Sequence, residues 1–322
     1  MKSYLDKLPS PFFVLAPMDD VTDTVFRQIV SVCAPPDLYF TEFVNVDGLQ
    51  SPGRQALLRR LQFTDKEQPL IAQIWGCNPE NYRKTAKELV EMGFAGVDIN
   101  MGCPVKTVIK NGACAALINN QALAAEIIQA TKSGLAGKIP LSVKTRIGFR
   151  DYDPAWIKFL MEQKLNMLTI HLRTAREMSK VPAHWNMLPE IKAMRDTLSP
   201  DTLLVGNGDV MNRADAAELT HTYGIDGVMI GRGIFQDPFA FAERSPWSEL
   251  TPQEKAELYK KHVTLFAQTW KDADRRVRIL GKFCKIYING FDNASERRDQ
   301  LMHCTSTAEL LRILSSPSGH SG

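Results

Sequence analysis

The sequence predicts an α/β fold: a (β/α)8 TIM barrel over residues 1–245, followed by a small helical domain over 246–322. Three observations carry this: eight short apolar segments, a helical start signal after most of them, and a polar residue at the C-terminal end of each. With 322 residues, 44% of them apolar and 23% charged, the chain can fill one large barrel and is not intrinsically disordered.

The apolar segments are 12–16, 38–40, 70–74, 96–100, 141–145, 167–171, 203–206 and 227–230. Their starts lie 24–45 residues apart, about 31 on average, the size of a strand-plus-helix unit. Asn78-Pro79 opens a helix over 80–92, Asp153-Pro154 one over 155–164, and Asn212 one over 213–223. A doubly wound open sheet uses the same alternation, so periodicity alone does not separate the two folds. The polar ends favour the barrel. Asp19, Glu42, Gln73, Asn100, Lys144, His171, Asn207 and Arg232 stand at or just after the eight segments, and in a barrel those ends share one rim, where active sites of that fold are built.

Beyond Ser245-Pro246-Trp247 no strand-like run recurs. Thr251-Pro252 opens a helix reaching about Trp270, residues 274–288 read as another, and Ser306 with Glu309 has capping-box spacing. Along 274–288, Arg275, Arg278, Lys282 and Lys285 recur at helical spacing, as do Ile279, Phe283 and Ile286, giving one basic and one apolar face. The net charge is +3, and the whole surplus lies from residue 249 onwards, with twelve basic against nine acidic residues. Six cysteines with no pair two residues apart argue against a disulfide framework and a zinc knuckle, and no metal is expected. No long uncharged apolar run and no signal-peptide pattern occurs, so the expected location is the cytoplasm, away from any membrane.

In Asp98-Ile99-Asn100-Met101-Gly102-Cys103-Pro104 a thiol stands just past the fourth strand, on a loop restricted by Gly and Pro. A lone cysteine is by default a small buried hydrophobe. At a barrel rim it suits a nucleophile or proton donor instead. Lys144 and His171 end consecutive strands and should point into the same mouth. A flavin would use such a pair, because its reduced ring carries negative charge that cations and donors stabilise. Val205-Gly206-Asn207-Gly208-Asp209 and Met229-Ile230-Gly231-Arg232-Gly233 place glycines after strands seven and eight, loops that commonly cradle phosphate in this fold, with Arg232 as a fork for its oxygens.

Together these segments resemble the dihydrouridine synthase family, FMN enzymes that reduce uridines in tRNA. The resemblance runs in order from Ala16-Pro17-Met18-Asp19-Asp20-Val21-Thr22-Asp23, through Gln73 and Asn100-Met101-Gly102-Cys103-Pro104, to Lys144, His171-Leu172-Arg173-Thr174, Asn207-Gly208-Asp209 and Gly231-Arg232-Gly233. It implies that Pro17, Met18 and Asp19 line the flavin ring, and that Gln73, Lys144 and His171 contact its polar edge. Asn207, Gly208, Asp209, Gly231 and Arg232 would hold its ribityl chain and phosphate. Asn100 and Arg173 would face the substrate, Cys103 would be the general acid, and Arg275, Arg278, Lys282 and Lys285 would contact RNA. The implied reaction passes hydride from NADPH to FMN and then to carbon 6 of a uracil drawn out of the RNA stack, while Cys103 protonates carbon 5.

Leu172 departs from the family, which usually has Gly there, and Cys114 stands where Gly is frequent. No stable protein partner is implied. Two other readings use the same residues: an FMN barrel acting on a free pyrimidine, as dihydroorotate dehydrogenase-like enzymes do, and a non-catalytic RNA-binding module. The basic tail speaks against the first, and Cys103, Lys144 and His171 speak against the second.

Overall fold

The fold was analysed in a computed structural model that describes residues 4–270 and 275–316. Eight parallel strands coincide with the predicted segments: β1 (Phe12–Leu15), β2 (Tyr39–Phe40), β3 (Leu70–Trp75), β4 (Gly96–Met101), β5 (Leu141–Arg146), β6 (Met167–His171), β7 (Leu203–Asn207) and β8 (Gly227–Ile230). From β2 to β8 each strand pairs with the next, and β8 pairs with β1. A bridge between Val14 and Leu38, with the Leu15 amide donating to the Leu38 carbonyl at 3.0 Å, brings the sheet back to its start. The fold is therefore a barrel and not an open sheet. A two-residue strand, Val44–Asn45, also pairs with β3.

Strand parity explains the interior. Phe12, Val14, Ala16, Leu38, Phe40, Ile71, Met167, Val205 and Met229 form one apolar cluster, against which Tyr4 and Leu8 pack. Burying each large side chain of such a layer stabilises the fold by about 1.5–3 kcal/mol. Moving two residues along each strand keeps the same side of the sheet, so Gln73, Lys144, His171 and Asn207 follow above that layer. The barrel is apolar below and polar at its mouth.

The predicted helices form where their caps put them. Pro79–Glu91 starts on Asn78, Pro154–Glu162 on Asp153 and Arg213–Tyr223 on Asn212, each side chain accepting from an amide of the first turn. Such caps contribute about 1 kcal/mol each. Among the described residues no helix is long and apolar enough to cross a membrane.

By packing, the chain divides into two compact units, Met1–Thr24 with Pro36–Arg232, and Val25–Pro35 with Gly233–Gly322. Residues 233–245, expected in the barrel, thus group with the helical unit. So does nearly all of the helix Thr24–Cys33, because Phe26 stacks on Phe283 and Phe235, at ring-centroid distances of 4.9 and 6.4 Å. The second unit also contains Pro252–Thr269, Ala294–Met302 and Thr307–Ser315, and capping boxes at Thr251/Glu254 and Ser306/Glu309 begin the first and last of these.

One expected helix is corrected. Asp274 lies outside the described residues, and the rest of 274–288 is not one α-helix: Val277–Phe283 is a 3₁₀ helix, followed by one α-turn, Cys284–Tyr287. Gly281 in the middle of the segment weakens the α form. Arg275 precedes the helical residues and is 4% exposed, its guanidinium 5.9 Å from the Trp270 ring centre. It therefore leaves the basic face, whose exposed members are Arg276, Arg278, Lys282 and Lys285.

Candidate active site

The loop after β4 is held from two sides. Asn100 ends the inward row of β4, and its Oδ1 accepts from the amides of Gly102 and Cys103, both at 3.0 Å. Arg146, at the end of β5, donates from Nε to the Gly102 carbonyl (2.7 Å) and from Nη1 to the carbonyls of Thr174 and Met178 (2.9 and 2.8 Å). One buried guanidinium thus ties the cysteine loop to the loop after β6. Such multiple engagement suits the planar fork of arginine.

Cys103 is half-buried on this loop. A hydrogen bond with the Cys114 thiol lowers its pKa to about 7, against the opposing effect of burial and with help from the Val105 backbone and the Arg146 cation. Cys114 is buried and its own pKa is pushed well above the ordinary thiol value, first by burial and then by that hydrogen bond, so it stays protonated and donates. Its φ of +52° lies in the left-handed region. This is a conformation that glycine adopts more readily, consistent with the departure from the family pattern.

Lys144 donates to Asn207 Oδ1 at 3.1 Å, and Asn207 Nδ2 donates to the Met229 carbonyl at 2.8 Å. Burial, then the Arg146 charge, draws the Lys144 ammonium down to about 8, while Asp98 and Cys103 oppose that shift. His171 Nε2 lies 3.0 Å from Arg173 Nη1. A guanidinium only donates, so Nε2 accepts and the ring proton sits on Nδ1. Burial and the cations of Lys144, Arg146, Arg173 and Arg232 keep this ring neutral.

Asp209 links the last two loops. It accepts from Arg173, from the Ala183 amide at 2.9 Å and from Arg232 at 2.9 Å. Its partial burial would raise its pKa, but the bonds from Arg173 and Ala183 and the two arginine charges outweigh that and hold it below the usual range. Gly208 has φ of +131°, and a Cβ there would lie 2.7 Å from the Ala183 Cβ. Only glycine fits.

Gln73, Asn100, Cys103, Lys144, His171 and Asn207 therefore meet at one mouth, with Asp209 and Arg232 beside it. Arg173, expected to face the substrate, is 2% exposed, and its three nitrogens go to the Val181 carbonyl, His171 and Asp209, so it braces the site. In the loop after β1, Pro17 and Met18 are half-buried. The Met18 amide donates to Thr22 Oγ1 at 2.9 Å. Asp19 is exposed and paired with Arg60, which also reaches Asp20 and Glu42, so a cation already sits among these three carboxylates. Leu172 is buried, and its backbone joins Asn207 and His184. Arg146 and Asp98 were missed by sequence reasoning. The available signal was parity, since Asp98 shares a strand face with Asn100, and Arg146 with Lys144.

The family model described as dihydrouridine synthase (Dus) matches residues 14–317. The chain belongs to the dihydrouridine synthase family. This is a family of TIM-barrel flavoenzymes. Among its curated members, this dihydrouridine synthase chain is 49% identical over 316 residues to the "Probable tRNA-dihydrouridine synthase" of Staphylococcus aureus (strain COL), covering 97% of this chain and 95% of that one. It is 48% identical to the "Probable tRNA-dihydrouridine synthase 2" of Bacillus subtilis (strain 168), with 97% and 96% covered. Solved structures share the fold at much lower identity. Morphinone reductase in complex with tetrahydroNAD aligns with TM-score 0.51 at 15% identity, covering 72% of this chain and 85% of that one. Histamine dehydrogenase from Rhizobium sp. 4-9 aligns with TM-score 0.55 at 13% identity, covering 79% and 48%.

Proposed function

We propose that the protein is a tRNA-dihydrouridine synthase that uses FMN, reduced by NADPH, to saturate the 5,6 double bond of uridines in tRNA, with Cys103 as proton donor. The setting of Cys103 supports this most: a half-buried thiol at the barrel mouth, on a loop held by Asn100 and Arg146, with its pKa drawn to about 7. An acid with a pKa near the working pH combines a populated protonated form with a strong tendency to donate.

The residues present fit a flavin phosphate. Lys144 is a cation, His171 carries a donor on Nδ1, and Arg232 has an exposed fork. Pro17, Met18 and Asp19 would border the ring, and Gln73, Lys144 and His171 its polar edge. Asn207, Gly208, Asp209, Gly231 and Arg232 would hold the ribityl chain and phosphate. FMN, when bound, supplies the hydride for carbon 6.

Cys103 gives its proton to carbon 5, and the thiolate left behind is held by the Cys114 S–H, the Val105 backbone and the Arg146 charge. Asn100, fixed by its own hydrogen bonds, would border the uracil. In the second unit, exposed Arg278, Lys282 and Lys285 would meet RNA phosphates. The names of the curated relatives point to tRNA over other RNA.

A visible spectrum of the purified protein tests the reading, followed in one anaerobic cuvette by NADPH and then by unmodified tRNA. Flavin bands that bleach with NADPH and return with tRNA are expected. Protein that stays colourless and takes up no FMN would overturn the cofactor, and bands that return with free uracil or orotate would overturn the substrate.

A further inference from the structure

Below the mouth lies a buried carboxylate that the reaction does not use. Asp98 is 0% exposed, in the inward row of β4 one position below Asn100, and its cross-strand partners are Gln73 on β3 and Ser142 on β5. Ser142 Oγ donates to its Oδ1 at 2.6 Å, and Gln73 Nε2 donates to its Oδ2 at 2.8 Å. Gln73 is itself fully buried, and its Oε1 accepts from Asn100 Nδ2 at 3.0 Å. Asn100 Oδ1 then accepts from the amides of Gly102 and Cys103.

The two amide side chains in this row could each be turned end for end, since oxygen and NH2 differ little in size. Their neighbours decide. A backbone N–H only donates, so the Gly102 and Cys103 amides fix one end of the row. Asn100 must therefore present its oxygen to the cysteine loop and its NH2 to Gln73, and Gln73 must present its oxygen to Asn100 and its NH2 downward, where Asp98 Oδ2 is the acceptor that receives it. Reversing either amide would set two donors or two acceptors against each other, at a buried site where water cannot compensate.

We propose that Asp98 is a positioning residue: as the buried acceptor at the lower end of the row, it anchors the Gln73 and Asn100 amides and so holds the Gly102–Cys103 backbone and thereby the thiol at the barrel mouth. The importance of this for turnover rests on Cys103 being the proton donor, whereas the holding itself does not. Polarity, and not charge, is the property required. An Asn at position 98 can still present its oxygen to Gln73 while its NH2 donates to Ser142 Oγ, because a hydroxyl both donates and accepts. A Leu can do neither.

Hydrogen exchange by mass spectrometry on the full chain, read in peptides spanning 101–105, separates the possibilities without reference to activity. In Asp98→Leu the Gly102 and Cys103 amides are expected to exchange at least tenfold faster, with Cys103 alkylation by iodoacetamide altered, while peptides from β7 and β8 keep their protection. Asp98→Asn is expected to restore protection to near the unsubstituted level. Unchanged exchange at 102–103 in Asp98→Leu would overturn the proposal, and so would equal loss in both variants. If Asp98→Leu does not fold, Gln73→Met cuts the same row one residue higher: faster exchange at 102–103 supports the relay and unchanged exchange overturns it. Dihydrouridine formation on tRNA, measured separately, would fail in the unsubstituted protein if the proposed activity were wrong, leaving the exchange result intact.

Discussion

A thiol that must part with a proton benefits from partners for the charge it leaves, and Cys103 has a neighbouring S–H, a backbone contact and a guanidinium. The donor form is the protonated one, and the pKa is about 7, so single-turnover reduction of tRNA is expected to slow as pH rises above that value. Cys103→Ala is expected to abolish reduction while retaining flavin. Cys114→Ala keeps turnover but moves the Cys103 pKa upward, which the pH dependence of iodoacetamide alkylation reports; an unmoved profile would remove Cys114 from this role. Cys103 and Lys144 were legible in the sequence because each stands at the end of an apolar run. Arg146 was not singled out, since a charged residue at a strand end reads as solvated unless its parity is followed inward. Cys114 showed only as a missing glycine, because its approach to Cys103 depends on a left-handed backbone that no local pattern announces.

Among elements, the strands and capped helices were readable because each carries its own start signal, as Asn78, Asp153 and Ser306 show. The basic segment was harder. Arginines and lysines three and four apart suggest one α-helical face, but a 3₁₀ helix turns every three residues, and Arg275 lies outside it. Neutralising Lys282 and Lys285 together is expected to weaken tRNA binding and reduce the salt slope, log K against log salt, by about 1.4–1.8, with flavin content unchanged. A slope that does not move would take these residues out of the interface.

The second unit also holds His262, which burial draws from 6.5 to about 3. The folded state therefore keeps this ring neutral while the unfolded chain protonates below about 6.5. Its contribution is full above that pH and is lost as pH falls toward 3, at up to about 1.4 kcal/mol per pH unit for one proton. Hydrogen exchange in Pro252–Thr269 should accelerate on going from pH 7 to pH 5, after correction for intrinsic rates, and His262→Gln should flatten that change.

At the scale of the whole molecule, the barrel was legible because eight strand ends and one rim leave few other topologies. The make-up of the second unit was not. The helix Thr24–Cys33 looks like any helix following a barrel strand, and its allegiance is decided by Phe26 meeting Phe235, His262 and Phe283, which the chain reaches only much later. A fragment of residues 233–322 therefore lacks one of its aromatic layers and is expected to unfold non-cooperatively. Adding a peptide of residues 24–35 should sharpen its urea transition, and an equally sharp transition without the peptide would contradict this. During synthesis the same arrangement has a temporal cost. The ribosome delivers Phe26 more than two hundred residues ahead of Phe235 and Phe283, so the apolar face of this helix waits uncovered while they are made, exposed to mispairing with other nascent chains. Closure of this aromatic layer is thus timed by residues made long after the segment that waits for them.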